Sequence, residues 1–354
     1  MERKIIHVIG TGTIGEPLIG LLCDYRDQLG IDGITFKKEV ASETDKSKVI
    51  DLIKRGARLV TDQDKINEFK KLNLDPAFES DEAIKRATVV IDCSTKSNQI
   101  SSKKEYYNDF KNDVKGFIIQ GDQNGFGKKY AYGINDSALD QSDKFIQVIS
   151  CNSHNISSIT KTLALSIDPD NLIDGKFVCI RRANDISQDS GFIPSPQVNM
   201  HLNERYGSHH AKDSVDLFRT LGMELNLFSS EMRINSQYMH VLWFNLKVRE
   251  PTSLQKVKSL LESNNLIAMT SKDMTSSVFS FGRDHGHYGR ILNQAVVVEK
   301  TLNVKNDHEI VGFCFTPSDG NSIFSSISAA EWFLYPHSFK DKLSCFDHLF
   351  FDKI

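Results

Sequence analysis

Residues 5 to 15 decide the fold of this chain and read Ile5-Ile6-His7-Val8-Ile9-Gly10-Thr11-Gly12-Thr13-Ile14-Gly15. The first five form an apolar run typical of a buried strand, and the next six follow the pattern G-x-G-x-x-G. Apolar residues then recur at helical spacing, at Ile14, Leu18, Leu21, Leu22, Tyr25 and Leu29. The order of strand, glycine-rich turn and helix predicts the opening unit of a doubly wound parallel sheet.

The glycine pattern also predicts a ligand. A residue without a Cβ lets the backbone turn tightly at Gly10 and approach a pyrophosphate at Gly12, while the helix that follows directs N–H groups at the phosphates. A glycine-rich turn with no ligand is the alternative. The predicted cofactor-binding residues here are Gly10, Thr11, Gly12, Thr13, Ile14 and Gly15.

The rest of the chain predicts an α/β protein with two main domains. Short β-branched runs at 33–36, 58–60, 88–93, 117–120 and 145–150 alternate with amphipathic stretches, which is typical of a parallel sheet with helices on both faces. We expect a dinucleotide-binding Rossmann domain over 1–150 and a mixed or antiparallel α+β catalytic domain over 151–318. A helix within 319–354, ended by Pro336, is expected to pack back on the first domain.

Composition excludes several functions. Lys and Arg number 43 against 46 Asp and Glu, so the formal net charge of −3 provides no basic field for nucleic acid or anionic lipid. The six cysteines show no disulfide or zinc spacing, so we expect no metal and a reducing, cytoplasmic location. The chain has neither a signal-like start nor an apolar run long enough to span a membrane.

The end of the second predicted strand bears on the choice of cofactor. An NAD site usually places a carboxylate about twenty residues beyond the glycines, whereas this segment contains Thr35, Lys37 and Lys38. A hydroxyl and two ammonium groups suit the 2′-phosphate of NADP, so NADP is predicted and NAD is expected to be accepted as well. Alternatively, the two lysines are solvated loop charges.

Cys151 differs from the other cysteines in its position. It follows a predicted strand and precedes a predicted helix, so its sulfur should lie near a helix N-terminus, where a thiolate is stabilised. Alternatively, Cys151 is a small buried apolar residue. We interpret the other five cysteines as small buried apolar residues, namely Cys23, Cys93, Cys179, Cys314 and Cys345.

Several short motifs together resemble the archaeal-type, or type II, glyceraldehyde-3-phosphate dehydrogenases. They occur in that family's order and approximate spacing over about residues 4 to 335. They are Gly10 to Gly15, Ile119-Gln120-Gly121, Ser150-Cys151-Asn152, Arg181-Arg182-Ala183, Ser208-His209-His210, Met239-His240, Gly282-Arg283-Asp284 and the segment from Asn293 to Lys300. The resemblance implies a homotetrameric, cytoplasmic oxidoreductase with a Rossmann domain, usable in glycolysis or gluconeogenesis.

The resemblance also implies roles for individual residues. Cys151 would attack the aldehyde to form a thiohemiacetal, and inorganic phosphate would cleave the thioester that follows hydride transfer. Asn152 would position the substrate, Gln120 and Gly121 would adjoin the cofactor, and Asn293 would hold the nicotinamide carboxamide. The substrate and phosphate ligands would be Ser153, Arg181, Arg182, His209 and His210. Alternatively, the arginine pair is merely exposed and the histidine pair only packs.

His240 is the predicted general base. It begins an otherwise apolar period-two face within 239–248, so a buried core histidine is the alternative, but it matches the family's catalytic histidine. The chain departs from the family at His154, Asn155 and Ala211, which leaves the aldehyde open. His154 is expected either near Cys151 or in solvent. The competing functions are a related dehydrogenase of another phosphorylated or carboxylated aldehyde, and a non-catalytic NADP sensor.

Overall fold

The computed structural model describes residues 3–94, 100–121, 125–184, 191, 193–317 and 319–354. The chain forms two compact units. The first comprises Met1–Lys128, Leu139–Val148 and Ser325–Asp347, and the second comprises Lys129–Ala138, Ile149–Phe324 and His348–Ile354. The domain boundaries near 150 and 318 remain predictions.

Sixteen strands are found among the described residues. They are β1 (Ile5–Ile9), β2 (Gly33–Lys37), β3 (Arg58–Thr61), β4 (Phe78–Glu79), β5 (Val89–Asp92), β6 (Gly116–Gln120), β7 (Lys128–Tyr130), β8 (Phe145–Val148), β9 (Leu172–Arg181), β10 (Gln197–Val198), β11 (Leu227–Arg233), β12 (His240–Val248), β13 (Ile267–Thr270), β14 (Ala295–Val298), β15 (Asn303–Lys305) and β16 (Glu309–Thr316).

The α-helices lie between these strands and at the end of the chain. They are α1 (Gly15–Asp24), α2 (Arg26–Leu29), α3 (Glu43–Lys54), α4 (Ile66–Lys71), α5 (Ser80–Arg86), α6 (Ile100–Asn108), α7 (Cys151–Thr160), α8 (His209–Arg219), α9 (Leu254–Glu262), α10 (Thr275–His285), α11 (Gly320–Leu334) and α12 (Phe339–Leu343). Within the described part of the chain, none is both long and apolar enough to cross a membrane.

The first sheet is the parallel, Rossmann-like sheet that the sequence predicted. Its eight strands run in the order β4-β3-β2-β1-β5-β6-β8-β7, and the pairings around β1, β2, β5 and β6 are parallel. Six strands were predicted, and the two that were missed, β4 and β7, have only two and three residues. Such short segments carry too little periodicity to be recognised.

The turn between β1 and α1 needs its glycines. Gly10 has φ +93°, a left-handed conformation that residues with a Cβ rarely adopt. A Cβ on Gly15 would lie 2.1 Å from the carbonyl oxygen of Gly10, so a larger residue would push the helix away from the strand. A Cβ on Gly12 would meet nothing within 4 Å, so the backbone at Gly12 faces open space above the start of α1. That space is what a bound pyrophosphate requires.

The second unit is built on a mixed sheet in the order β10-β11-β9-β12-β16-β14-β13. The pairs β9/β11 and β13/β14 are parallel, whereas β12 is antiparallel to both of its neighbours. In β12, Leu242, Phe244, Leu246 and Val248 alternate into the core of this unit, and His240 begins the same face. The period-two prediction for this strand is confirmed.

The helix α11 ends two residues before Pro336, as its apolar spacing predicted. The segment Ser325–Asp347 is part of the first unit. The hydroxyl of Tyr335 donates to the carbonyl oxygen of Gly30 at 2.7 Å, and the ring of Phe333 fills the space beside Gly116. Aromatic side chains therefore attach this segment to the first sheet's helices and strands.

Candidate active site

Cys151 is the first residue of α7, as predicted, and its side chain is half-buried. The preceding residue, Ser150, caps the helix, and its Oγ accepts the backbone N–H of Ser153 at 3.4 Å. The Asn321 amide donates to the carbonyl oxygen of Cys151 at 3.0 Å. The sulfur is thus carried by the first turn of a fixed helix, next to backbone N–H groups that favour a negative charge.

The other five cysteines are in environments that disfavour the thiolate. Burial raises the pKa of Cys23 and of Cys314 to about 12 and that of Cys345 to about 11. Burial also raises the pKa of Cys93 and Cys179 strongly. The interpretation of these five as packing residues agrees with their surroundings.

Asn152 is held in a buried polar network. Its Oδ1 accepts the hydroxyl of Thr316 at 2.9 Å, and its Nδ2 lies 3.4 Å from Nε2 of His210. The amide of Asn155 donates to the same Thr316 hydroxyl at 2.9 Å. These side chains are buried, and the hydrogen bond from Thr316 orients the Asn152 amide.

The contact of His240 with the backbone determines its tautomer. Its Nδ1 accepts the N–H of Arg182 at 3.0 Å, so in the neutral ring the proton is on Nε2. Burial, together with the charges of Arg182 and Arg181, lowers the pKa of His240 well below its usual value. His240 is therefore neutral near pH 7 and presents Nε2–H as a hydrogen-bond donor.

Arg181 and His210 meet at a carboxylate that the sequence analysis missed. Nε2 of His210 lies 2.9 Å from Oε2 of Glu231, and Nη1 of Arg181 lies 3.4 Å from the same oxygen. Burial alone would raise the pKa of Glu231, but the His210 hydrogen bond and the Arg181 charge hold it well below the usual range. Burial lowers the pKa of His210 to about 4, so a neutral imidazole donates to an ionised carboxylate.

Arg182 has a different partner. Its Nη2 lies 3.1 Å from Oδ2 of Asp319, and its Nη1 donates to the carbonyl oxygen of Tyr238 at 3.0 Å. The side chain of Arg182 is 4% exposed, whereas that of Arg181 is 35% exposed. The two adjacent arginines therefore differ, and Arg181 is the one with access to solvent.

A divalent cation could find ligands at one place among the described residues. One ligand atom each from His209, His210 and Glu231 lies within 4.8 Å of the others, and the two imidazole rings are 3.8 Å apart. Two imidazoles and a carboxylate suit several transition metals. The Arg181 guanidinium beside Glu231 opposes a cation there, which favours an anion or a hydrogen-bonding group.

Ser153 and His154 are less accessible than the sequence suggested. The hydroxyl of Ser153 is fully buried, 2.9 Å from Oγ of Ser150. His154 is also fully buried, and its Nδ1 lies 3.0 Å from the carbonyl oxygen of Ser150. Because the side chain is buried, the alternative of a solvated His154 is wrong. Burial also lowers the pKa of His154 to about 4, so the neutral ring supplies no charge to Cys151.

In the first unit, both predicted lysines are at the carboxyl end of the sheet but have carboxylate partners. Nζ of Lys37 lies 2.7 Å from Asp62, and Nζ of Lys38 lies 2.5 Å from Asp45. Thr35 lies inside β2, 5% exposed, with its hydroxyl 2.8 Å from Nδ1 of the buried His7. The lysines are therefore better placed than Thr35 to meet a phosphate.

A third lysine adjoins the glycine turn. Nζ of Lys48 lies 3.4 Å from the carbonyl oxygen of Thr11 and 3.4 Å from a carboxylate oxygen of Glu16. The open backbone at Gly12, the start of α1 and these ammonium groups fit a nicotinamide dinucleotide. Gly10 to Gly15, Lys37 and Lys38 are the residues that would hold it.

The remaining predicted residues are placed as follows. Gln120 ends β6 and donates from Nε2 to the hydroxyl of Ser326. Gly121 has φ +131° and open space at its Cβ position. Asn293 is fully buried, and its amide bonds the backbone of Phe351 in both directions, at 3.1 and 3.0 Å. Reaching a carboxamide would require Asn293 to leave those bonds, so its observed contacts are those of an anchor for the C-terminal segment.

Glu231 and Thr316 adjoin the candidate site residues, and the sequence analysis missed both of them. Glu231 follows Leu227 and Ser229 on the buried period-two face of β11. A carboxylate at an inward position of a strand is a recognisable signal, but β11 itself was not recognised. Thr316 could be found only from the register that pairs it with His240.

The parallel Rossmann-like sheet together with the mixed second sheet is consistent with the fold of a nicotinamide-dependent dehydrogenase. No family model matches the chain. Among curated proteins, the chain is similar to glyceraldehyde-3-phosphate dehydrogenases of archaea. Sequence identity is 22% over 318 residues for that of Sulfolobus acidocaldarius, covering 88% of this chain and 86% of the relative. For that of Archaeoglobus fulgidus it is 21% over 303 residues, covering 80% and 79%.

A third relative matches over a shorter stretch. The glyceraldehyde-3-phosphate dehydrogenase of Pyrobaculum arsenaticum is 25% identical over 166 residues, which is 46% of this chain and 44% of that protein. The chain thus spans less than half of that relative's length in the match. The likeness indicates a related dehydrogenase and leaves the exact reaction to be proposed.

Proposed function

We propose that this chain is an NADP-dependent aldehyde dehydrogenase that oxidises glyceraldehyde 3-phosphate, reversibly and with inorganic phosphate, through a thioester on Cys151. The observation that carries the proposal is the placement of Cys151 at the start of α7, next to Asn152, whose amide contacts the imidazole that donates to Glu231. The distant relatives named glyceraldehyde-3-phosphate dehydrogenase support it. An assembly of four copies, a cytoplasmic location and service in glycolysis or gluconeogenesis belong to the same proposal.

In this proposal Cys151 attacks as the thiolate. Its sulfur forms a bond to the aldehyde carbon, and the carbonyl oxygen becomes an alkoxide. Nε2–H of His240 donates a hydrogen bond to that oxygen, and the nearby arginine charges stabilise it further. When bound, the nicotinamide ring supplies a hydride acceptor.

Because the reacting oxygen is an alkoxide in this proposal, His240 does not have to act as a general base. Loss of hydride from an alkoxide leaves the thioester directly, so no proton has to be removed at that step. A general base at Nε2 would require the opposite tautomer, in which Nδ1–H would face the N–H of Arg182. We therefore propose that His240 is a donor to the reacting oxygen, in place of the base suggested by the resemblance.

Arg181 is the proposed ligand for the substrate's anionic group or for inorganic phosphate, with His209 beside it. Its guanidinium is partly exposed and can meet phosphate oxygens in a bidentate way. Phosphate must compete there with Glu231. Arg182 acts on the site through its backbone contact to His240, because its side chain is committed to Asp319.

Glu231 also favours a second candidate, the oxidation of an amino-acid semialdehyde. A carboxylate next to a guanidinium can bind an ammonium group and a carboxylate group of one substrate at once. Such an aldehyde is within the carboxylated class that the sequence left open. This candidate uses the same Cys151 chemistry and differs only in the group that Arg181 and Glu231 recognise.

A panel of aldehydes, followed by nicotinamide absorbance with and without inorganic phosphate, tests the proposal. The proposed function requires both glyceraldehyde 3-phosphate and phosphate for steady turnover. Turnover of an amino-acid semialdehyde with no activity on the triose would select the second candidate. Binding of NADP without turnover of any aldehyde would support an NADP sensor.

A further inference from the structure

A cavity of about 470 Å³ lies in the first unit at the amino-terminal ends of the strands. Its lining includes Ile5, Gly33, Arg58 and Phe78, which are the first residues of β1, β2, β3 and β4. Dinucleotides bind at the carboxyl ends of the strands of a doubly wound sheet. Since this cavity is at the opposite edge, it is separate from the glycine turn, Lys37 and Lys38.

The lining is strongly cationic. Four arginines contribute to it, namely Arg3, Arg26, Arg58 and Arg86, against one carboxylate, Asp32. Asp32 is itself occupied, because its Oδ2 accepts the backbone N–H of Lys4 at 2.8 Å. The whole chain is slightly acidic, with a formal net charge of −3, so this concentration of guanidinium groups is a local feature.

The arginines differ in how far their charge is compensated. Arg26 lies 3.5 Å from Asp27, and Arg86 lies 3.2 Å from Glu82 one helical turn away, all on exposed side chains. Exposed pairs of this kind are weak. Arg3 and Arg58 form no ion pair with any residue in the described ranges, so two guanidinium groups at the cavity have no carboxylate partner.

Phe78 organises the arginines on one side of the cavity. The guanidinium of Arg86 lies 4.5 Å from the centre of the Phe78 ring, and that of Arg58 lies 6.0 Å from it. Cations at these distances are attracted to an aromatic face. The ring therefore holds two guanidinium groups near each other without using their N–H groups, of which, among the described residues, only Nη1 of Arg86 donates to a carboxylate, Glu82.

Helix polarity accounts for part of this arrangement only. Arg86 is the last residue of α5, and cations at helix C-termini are favoured by the helix dipole. Arg3 precedes β1 and Arg58 begins β3, so neither is at the end of a helix. Two arginines that form no ion pair within the described part of the chain therefore line one cavity near the strand starts, and their positive charge favours an anion there.

We propose that this cavity binds a small molecule that carries two or three phosphate groups. Guanidinium groups recognise phosphate oxygens in bidentate pairs, and a cavity of this volume is within the range of small-molecule sites. One phosphate meets Arg58 and Arg86, and another meets Arg3. The site is independent of the dehydrogenase reaction proposed for Cys151.

Isothermal titration calorimetry of the full chain with inorganic pyrophosphate tests the proposal, with saturating NADP present to occupy the glycine turn. We expect binding that weakens as salt is added. The double variant Arg3→Gln/Arg58→Gln should raise the dissociation constant roughly tenfold or more. Arg205→Gln is the matched control, because Arg205 is exposed, lies in the second unit and pairs with Glu224. The affinity of the Arg205→Gln variant for pyrophosphate should be unchanged.

A second measurement does not depend on the variants folding. Phenylglyoxal modifies accessible arginines, and pyrophosphate should protect Arg3 and Arg58 in the wild-type chain, as read by peptide mass spectrometry. Absence of binding, or binding that the double variant retains, would overturn the proposal. So would pyrophosphate binding that is lost in Arg181→Gln but kept in the double variant, because the anion would then be at the candidate active site.

Discussion

The backbone N–H of Arg182 donates to Nδ1 of His240 at 3.0 Å, so the peptide that follows β9 sets the tautomer of the histidine that begins β12. The nitrogen that remains, Nε2, carries the proton in the neutral ring. Because His240 is buried and near two arginines, its pKa is well below the usual value and the ring stays neutral. A neutral histidine held in this way can donate Nε2–H to an oxygen atom, which is the role proposed for His240.

Two substitutions of His240 distinguish a role as hydrogen-bond donor from a role as general base. His240→Gln keeps an N–H donor on a side chain of similar reach, whereas His240→Ala removes it. We expect kcat to fall roughly a hundredfold to a thousandfold in His240→Ala, as for loss of an oxyanion donor, and distinctly less in His240→Gln. Equal losses in both variants would favour the base.

The pH dependence of turnover gives an independent check on His240. The pKa of His240 is lowered well below its usual value by burial, so kcat should show no ionisation of His240 near pH 6.5. An ionisation with a pKa near 6.5 in the pH profile of kcat that disappears in His240→Gln would contradict the proposal that His240 is a neutral hydrogen-bond donor.

Lys37 and Lys38 are expected to discriminate between the two nicotinamide cofactors. Changing both to Ala should raise the dissociation constant of NADP more than that of NAD, because only NADP carries a 2′-phosphate. Fluorescence titration with each cofactor measures the two constants, and Lys54→Ala on the exposed face of α3 serves as the control. If the constants for NADP and NAD move together, the lysines do not contact the 2′-phosphate.

Glu231→Gln distinguishes the two candidate substrates. Removing the carboxylate frees Arg181 for phosphate, so KM for glyceraldehyde 3-phosphate should fall in the variant. For an amino-acid semialdehyde the same change removes the partner of the ammonium group, so KM should rise. Steady-state kinetics with both substrates measures the direction of each change in KM. An unchanged KM for both would show that Glu231 does not take part in substrate recognition.

Glu331 is predicted to limit stability at neutral and alkaline pH. Its side chain is fully buried in α11, and neither carboxyl oxygen has a hydrogen-bond partner in the described part of the chain. Burial raises its pKa to about 8. The folded state therefore favours the protonated form, and the free energy of unfolding decreases as pH rises from the unfolded pKa, about 4.3, toward 8.

Glu331→Gln should remove the decrease in the free energy of unfolding that the buried carboxyl causes at higher pH. We expect the variant to be more stable than the wild-type chain at pH 8, on the order of 1 kcal/mol or more, and the difference to vanish near pH 4. Denaturant unfolding at both pH values measures it, with exposed Glu262→Gln as the control. A variant less stable at pH 8 would mean that the carboxylate is favourably paired.

Much of this fold follows from local pattern. The apolar run before Gly10, the glycine spacing and the alternation along β12 each determine an element without reference to the rest of the chain. Helix α7 could be placed because a strand ends just before Cys151. The positions of Cys151 and of His240 in the fold could thus be predicted from the sequence.

What could not be predicted depends on contacts between distant segments. The carboxylates that face Lys37, Lys38, Arg181 and Arg182 come from 7 to 137 residues away, so the sequence overstated the free positive charge at both sites. The tautomer of His240 depends on the register of β9 against β12. The burial of His154 reflects packing of α7 on the sheet, since its own sequence is mostly polar.

The central claim is that Cys151 carries the acyl group, and intact-mass spectrometry tests it most directly. The chain is mixed with NADP and glyceraldehyde 3-phosphate without inorganic phosphate, so that the thioester accumulates, and the modified peptide is then mapped. We predict one acyl adduct on Cys151, absent in Cys151→Ser and retained in Cys345→Ser, whose thiol pKa is raised by burial to about 11. No adduct in the wild-type chain, or an adduct that persists in Cys151→Ser, would contradict the account.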